Sequence, residues 1–282
     1  MRVKQLIVSI CIITFLLFIL FEKESQEMIK YFPFDESMSF IEAETNLSLV
    51  EQTGNDQYKV NWKVDSNLQQ PIYLRQDVSL LFMDGQLKGI KSLWKEEESK
   101  ISLNEDIDES DSSHFEAISY HHGEIHYPND EIKSIQQMTY DELYVIDSPY
   151  SPLESFHKAE SDFQLEWAKT LTHTTDQALH YRWKQWMEKL DIASNDYILH
   201  PLVNIYEFSS KPLNGFSQAE TNKIIAQLWE GLYKEYIIPL SNTSTASPLY
   251  MPIILISKNY DHLFVLFNDA TNQVQALKQI IP

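Results

Sequence analysis

An uncharged run of seventeen residues, from Gln5 to Phe21, lies near the amino terminus, and from Leu6 onward it is nearly all Leu, Ile, Val and Phe. As a helix the run spans about 25 Å, at about 1.5 Å per residue, which is close to the roughly 30 Å hydrocarbon core of a bilayer. Lys4 before the run and Lys23 after it can extend to the two interfaces. The sequence therefore predicts one transmembrane helix.

The basic residues before the run set its expected orientation. Arg2 and Lys4 lie on the amino-terminal side, and basic residues favour the cytoplasmic side of a membrane. Residues 1–21 are predicted to form a cytoplasmic stub and an anchor, with residues 6–21 in contact with membrane lipid. Residues 22–282 are predicted to be extracytoplasmic, which makes this a single-pass protein of the cell membrane.

Two other interpretations of the run are less favoured. A cleaved signal peptide has a pair of small residues after its apolar core, and the segment 21–27 offers no such pair. A lipoprotein signal would make Cys11 the acylated residue, yet Ile10 stands where a small residue is preferred, and the apolar run continues to Phe21. An uncleaved anchor is the prediction.

Charge and cysteine content exclude several classes of protein. Lys and Arg number 22 against 41 Asp and Glu, a formal net charge of −19, so binding to nucleic acid or anionic lipid through surface charge is not expected. The single Cys, Cys11, lies in the predicted anchor. The exported part therefore has no thiol for a nucleophile, a thiolate metal site or a disulfide.

The rest of the chain divides into a predicted juxtamembrane stalk, residues 22–45, and two structured parts. Residues 46–147 are predicted to be rich in antiparallel strands, because apolar and polar residues alternate through Tyr58–Val64 and Asp84-Gly85 is typical of a type I′ hairpin turn. Residues 148–282 are predicted to hold helices and then a C-terminal β-hairpin or meander. This order favours an α+β fold, in one domain or two.

Capping patterns place the predicted helices. The capping box Ser151–Glu154 predicts the start of a first helix, and Thr174 is expected either to begin a second helix or to lie within one long kinked helix. A further capping box, Ser217–Glu220, predicts another helix, which Pro239 is expected to end. The acidic stretch 96–111 does not fit a calcium loop and is predicted to be a solvated loop.

The segment from His114 to Tyr127 concentrates histidine and carboxylate on one side of a predicted strand, since side chains of one parity share a face. That face carries His114, Glu116, His122, Glu124 and His126. The opposite parity is mostly apolar, so the histidine face is expected to be the polar outer face of a half-buried strand. The competing interpretation is a metal site, because imidazole and carboxylate together suit zinc or a similar divalent ion.

The metal hypothesis rests on His122, Glu124 and His126. On a strand the Cα atoms of His122 and His126 would lie roughly 13 Å apart, which is too far for one ion to bind both easily. A realistic site would combine Glu124 with one of the two histidines and take further ligands from a neighbouring strand. No other cofactor is predicted.

Other catalytic patterns are weak. His173, Asp176 and His180 can share one side of a helix, but the zinc-peptidase pattern His-Glu-x-x-His does not occur in the sequence. Neither a Gly-x-Ser-x-Gly elbow nor a phosphate-binding glycine loop occurs. The sequence thus carries no catalytic signature above background, and an enzyme is the less favoured class.

The favoured function is an anchored extracytoplasmic domain that binds an unknown protein partner, as an accessory protein of a membrane or envelope complex. The alternative is a membrane-tethered hydrolase of envelope material, assisted by a metal at His122, Glu124 and His126, with Glu124 as ligand or general base. A cation-sensing ectodomain that uses residues 96–111 is a third hypothesis.

The anchor prediction can be tested with a reporter enzyme fused after Pro282. Because the apolar run is expected to stay in the lipid, a reporter that works only outside the cytoplasm should be active, and alkaline carbonate should not extract the protein from membranes. A reporter active only inside the cell, or extraction by carbonate, would contradict the prediction.

Overall fold

The computed structural model describes residues 32–52, 57–241 and 247–281. The predicted transmembrane helix lies outside this part of the chain, as does the predicted stalk up to residue 31. Among the described residues, no helix is both long enough and apolar enough to span a bilayer.

Antiparallel β-structure dominates the fold, with strands over 51% of the chain and few helices. The strands are β1 (Glu42–Gln52), β2 (Tyr58–Met83), β3 (Gln86–Glu109), β4 (Ser113–His126), β5 (Ile132–Ser148), β6 (Ser151–Phe156), β7 (Tyr197–Pro201), β8 (Ile253–Ser257), β9 (His262–Asn268) and β10 (Val274–Ile280). The predicted β-rich character and the C-terminal meander, β8 to β10, are both confirmed.

The first sheet has the order β1-β2-β4-β5-β6, with β3 paired to β2. The register of the β2–β3 pair shifts between Asn67 and Ile72. Before this shift β2 pairs with β1, and after it β2 pairs with β4. The β1 half packs face to face on β4 and β5, where Trp62 and Leu47 share a core with Phe115 and Leu143.

The predicted hairpin turn at Asp84-Gly85 is confirmed, since both residues have positive φ, 49° and 75°, as a type I′ turn requires. The acidic stretch 96–111 is not the loop that its composition predicts, because residues up to Glu109 belong to β3. Lysines on the hairpin compensate its charge: Lys91 Nζ lies 2.7 Å from a Glu105 oxygen, and Lys88 Nζ lies 2.8 Å from a Glu109 oxygen.

Residues 32–45, the described part of the predicted stalk, contact the first sheet at one isolated bridge and then enter it in β1. The backbone N–H of Asp35 donates to the Ser134 carbonyl at 2.9 Å, and the Ser134 N–H donates to the Pro33 carbonyl at 2.9 Å. Strand β1 then begins at Glu42. The described part of the predicted stalk therefore pairs with the start of β5 before the chain enters β1.

The first helix differs from its predicted start. The capping-box segment Ser151–Glu154 lies in β6, which pairs with β5, and the helix α1 runs unbroken from Asp162 to Lys189 with Ser161 as its N-cap. The Thr174 hydroxyl donates to the Thr170 carbonyl at 2.9 Å, so Thr174 is an interior residue. One long helix, the alternative, is the observed arrangement.

The second capping box is confirmed: Ser217 and Glu220 cap each other at the start of helix α2, Gln218–Leu232. Pro239 does not end the helical segment. A π-helical turn, Tyr233–Ile237, follows α2 and leads into a short helix α3, Ile238–Ser241. In the π-helical turn the Ile238 N–H donates to the Tyr233 carbonyl. Pro239 follows at the start of the next helical turn, where the missing N–H of a proline costs no intrahelical hydrogen bond.

The second sheet, β10-β9-β8-β7, and the helices cover the other face of β2 and β4. A single core contains Phe82 and Tyr120 from the first sheet, Trp183 and Trp229 from the helices, and Leu266 from β9. This core joins residues of both predicted parts, 46–147 and 148–282. It covers the face of β4 that carries Ile118 and Tyr120, while the core of Leu47 and Trp62 covers the opposite face. The expectation that the histidine face of this strand is exposed is therefore wrong at its centre.

Gly123 marks how closely side chains of the neighbouring strands β2 and β5 pack against β4. A Cβ atom there would lie 2.5 Å from Ile72 Cδ1 and 2.9 Å from Ile135 Cγ1. We therefore expect Gly123→Ala to lower the free energy of unfolding by about 1–3 kcal/mol, measured by urea denaturation with tryptophan fluorescence. Gly231→Ala in α2 is the control, because its Cβ meets nothing nearer than 3.7 Å; a helical alanine should be neutral or stabilising there. Equal stability of the two variants would contradict this packing.

Candidate functional site

A cleft opens where β4 and β5 meet helix α1 and the 3₁₀ helix Leu202–Ser209. Its volume is about 360 Å³, within the usual range of small-molecule sites. Acidic and aromatic side chains dominate its lining: Glu116, Tyr140, Glu142, Tyr144, Asp176 and Tyr206.

Strand register brings two carboxyl groups together in this cleft. Glu116 of β4 lies directly opposite Glu142 of β5, an arrangement in which two negative charges repel each other. Burial raises the pKa of Glu116, whereas the hydrogen bond from His114 lowers the pKa of Glu142. The pKa values of the two carboxyl groups are thus shifted in opposite directions, and Glu142 is the more readily ionised of the two.

Tyr140 connects the two carboxyl groups. Its hydroxyl oxygen lies 3.1 Å from Glu116 Oε1 and 3.4 Å from Glu142 Oε2. With one proton to donate, the phenol can donate to Glu116 Oε1 or to Glu142 Oε2, and the shorter distance is the one to Glu116. Burial, and then the two nearby carboxyl groups, raise the pKa of Tyr140, which keeps it a donor.

His114 and Tyr144 complete the shell around Glu142. His114 Nε2 lies 3.3 Å from Glu142 Oε2, and the Tyr144 hydroxyl lies 3.5 Å from the same oxygen. The rings of His114 and Tyr144, which are cross-strand partners, stack with centroids 4.1 Å apart. Burial raises the pKa of Tyr144 to about 12, so this hydroxyl is also a donor at neutral pH.

Helix α1 forms the facing wall with residues spaced along one side: Thr172, Thr175, Asp176 and Leu179. The Thr172 hydroxyl lies 3.0 Å from the Tyr144 hydroxyl. Thr175 Oγ1 and His114 Nδ1 are buried and have no hydrogen-bond partner among the described residues. Because buried polar atoms are normally paired, these two atoms indicate a place where a ligand can bind.

The residues of the metal hypothesis lie further along the same face of β4. Glu124 Oε1 and His126 Nε2 are 2.5 Å apart, and the His126 ring stacks on Tyr73 at 3.7 Å. The predicted adjacent pair is therefore brought together. His122 is 3% exposed, and neither of its ring nitrogens has a hydrogen-bond partner in the described chain.

Within the described ranges, no group of three or more His, Cys, Asp or Glu side chains is placed to hold a metal ion. The metal site at His122, Glu124 and His126 therefore stays a prediction, for which the described residues do not bring three ligands together. Of the helical candidates, Asp176 lines the cleft, whereas His173 and His180 are exposed on α1. The His180 ring donates to the Asp176 carbonyl from 2.7 Å.

Sequence reasoning included His114 and Glu116 among its candidates but missed Tyr140, Glu142 and Thr175. One signal was present: Tyr140, Glu142 and Tyr144 share one parity of β5, which places them on one face of the strand. The residue that lies opposite Glu116 is determined by the pairing and register of β4 and β5, which cannot be derived from the sequence of either strand alone.

Comparisons with known proteins give little to add to this geometry. No protein-family model matches the chain, and no curated protein matches it. Among solved structures, the solution structure of AT1g01470 from Arabidopsis thaliana is similar over 45% of this chain and 93% of its own length. The identity is 11% and the TM-score 0.24, a likeness too low to support an argument about fold or function.

The buried His122 predicts a pH dependence of stability. Burial lowers its pKa to about 4 in the folded protein, below the roughly 6.5 of an unfolded chain. The unfolded state therefore binds the proton first, and stability is lost as pH falls from about 6.5 to about 4, by up to about 3 kcal/mol.

His122→Leu should remove this part of the pH dependence, as measured by urea denaturation between pH 7 and pH 4. The matched control is His173→Leu, because His173 is exposed and its loss should leave the pH profile unchanged. Identical pH profiles for wild type and His122→Leu would refute the burial argument.

Proposed function

We propose that this chain is an extracytoplasmic binding protein of α+β architecture, held to the cell membrane by an uncleaved helix at residues 6–21. In this proposal the cleft between β4–β5 and α1 binds a polar group of a small ligand or of a protein partner in a membrane or envelope complex. The observation that carries the proposal is the pair of buried, unpartnered atoms, Thr175 Oγ1 and His114 Nδ1, in residues that line that cleft.

The acid pair also supports the alternative, an envelope hydrolase that acts through Glu116 and Glu142 without the predicted metal. A carboxyl group of raised pKa beside one of lowered pKa is an arrangement that acid–base cleavage uses. Binding is nevertheless favoured. His114, Tyr140 and Tyr144 all lie within hydrogen-bond distance of Glu142 Oε2, and a carboxylate of lowered pKa is a weak general base at neutral pH.

A single engineered thiol can test both the location and the occupancy of the cleft, because the protein has no Cys beyond Cys11. In a Cys11→Ser background, Asn204→Cys places a thiol in the cleft lining, and Glu98→Cys places one on the exposed acidic part of β3. A membrane-impermeant maleimide is applied to intact cells and to purified protein, and labelling rates are compared.

Both thiols should react in intact cells, because residues 22–282 are proposed to be outside the cytoplasm. Asn204→Cys should react at least about 3-fold more slowly in cells than in purified protein, whereas Glu98→Cys should show no such difference, since only the cleft is covered by its partner. If neither thiol reacts until the cells are lysed, the location is wrong. If the cleft thiol is not protected, the binding role is wrong.

A further inference from the structure

We infer that the cleft between β4–β5 and α1 binds an organic cation, an ammonium or guanidinium group, through Glu142, Glu116 and Asp176. This inference rests on the proposed binding function and names the chemistry of the bound group. It draws on three observations: the charge of the lining, the kind of hydrogen-bonding atoms left free, and the absence of a metal-binding geometry in the described residues.

The charge of the cleft favours a cation. Three carboxyl groups face the cavity, and none of the described residues that line it is Lys or Arg. A cleft lined by one sign of charge concentrates ions of the opposite sign. An anionic ligand would meet the Glu142 carboxylate with no basic side chain to compensate it.

The free atoms in the cleft are suited to N–H donors. His114 Nε2 lies 3.3 Å from a Glu142 carboxylate oxygen, and in the neutral tautomer that donates from Nε2, Nδ1 is an acceptor. The Thr175 hydroxyl can also accept a hydrogen bond. An ammonium or guanidinium group has several N–H donors and no acceptor, and therefore matches a site made of carboxylate oxygens, an imidazole nitrogen and hydroxyl groups.

An organic cation fits this site better than a metal ion. The described chain holds no group of three carboxylate or imidazole ligands with metal-binding geometry. The cavity, at about 360 Å³, has room for an alkyl chain beside the charged group. Leu179, Pro201 and Met251 supply apolar surface in the same lining.

Binding of a cation should favour the ionised form of Glu116, so a proton released on binding is expected to come from this residue. The charged and titratable groups that face Glu116 are His114 on its own strand, Tyr140, Glu142 and Tyr144 on β5, and Asp176 on α1. A cation among them stabilises the ionised form of Glu116, which its buried position otherwise disfavours. Affinity should therefore rise with pH until Glu116 is ionised without ligand.

The test uses the purified full chain in detergent and isothermal titration calorimetry. The probes are 1,5-diaminopentane, N-acetyl-lysine methylamide and, as the neutral analogue, 1,5-pentanediol. We expect the amines to bind with a dissociation constant below about 1 mM and the diol at least about 10-fold more weakly. The two amines distinguish a free amine from a lysine side chain of a partner as the natural source.

Variants locate the binding. Glu142→Gln should weaken amine binding by about 10-fold or more, since a hydrogen bond to a charged group is lost. Asp176→Asn, at an exposed position on α1, should weaken it by a smaller factor without disturbing the fold. Glu98→Gln removes an equal charge outside the cleft and should change the affinity less than about 2-fold. Glu116→Gln should abolish the proton release, measured in two buffers of different ionisation enthalpy.

Two results would overturn the inference. In the first, neither amine binds, or the diol binds as tightly as the amines. In the second, the amines bind but Glu142→Gln and Asp176→Asn bind them as the wild type does. The binding function itself is judged separately by protection of Asn204→Cys in cells: protection without amine binding leaves the binding function and removes only the cationic ligand.

Discussion

The position of β4 between two packed layers is the constraint on which the rest of the structure depends. One face of the strand meets the β1 half of the bent first sheet, where Phe115 and Ala117 join the core of Leu47 and Trp62. Its other face meets the helices and the second sheet. Every polar side chain at the centre of β4 is thereby withdrawn from water, and each must find a partner inside the protein or remain unpaired at a cost in stability.

The two faces of β4 meet this requirement differently. On the sheet-packed face, His121 is paired at both ring nitrogens, with Asp77 at 2.9 Å and with Thr139 at 2.8 Å, and Ser119 bonds to Ser79. On the helix-packed face, His114 Nδ1 and both nitrogens of His122 have no partner among the described residues. The sheet-packed face also has buried atoms without a hydrogen-bond partner among the described residues, Trp62 Nε1 and Asp77 Oδ1, but there both ring nitrogens of His121 are paired, whereas the unpaired His114 Nδ1 belongs to a residue that lines the cleft.

Local patterns were sufficient for some elements and not for others. The Asp84-Gly85 turn and the Ser217–Glu220 capping box are short-range structures, and both were predictable. The capping box Ser151–Glu154 failed because the segment pairs in a hairpin with the preceding strand β5, and this pairing outweighs a helix start. The alternation of the sequence places His114 and Glu116 on the same face of β4. The residues that cover this face belong to α1 and the 3₁₀ helix, and the position of Glu142 beside Glu116 depends on the register between β4 and β5. These are properties of tertiary structure that one strand's sequence does not contain.

The acid pair in the cleft is hard to explain as a packing feature alone. The neighbours of Glu116 on the same face of β4 are packed residues. His114 is stacked on Tyr144, and Ile118 is buried. An apolar cross-strand pair at Glu116 and Glu142 would extend that core, without the repulsion of like charges or the desolvation of a carboxyl group. The unpaired Thr175 hydroxyl adds a further cost of about 1–3 kcal/mol. A bound cation with N–H donors would offset the charge repulsion, compensate the desolvation of the carboxyl groups and pair with the Thr175 hydroxyl. This combination of residues is therefore better explained by a ligand than by packing alone.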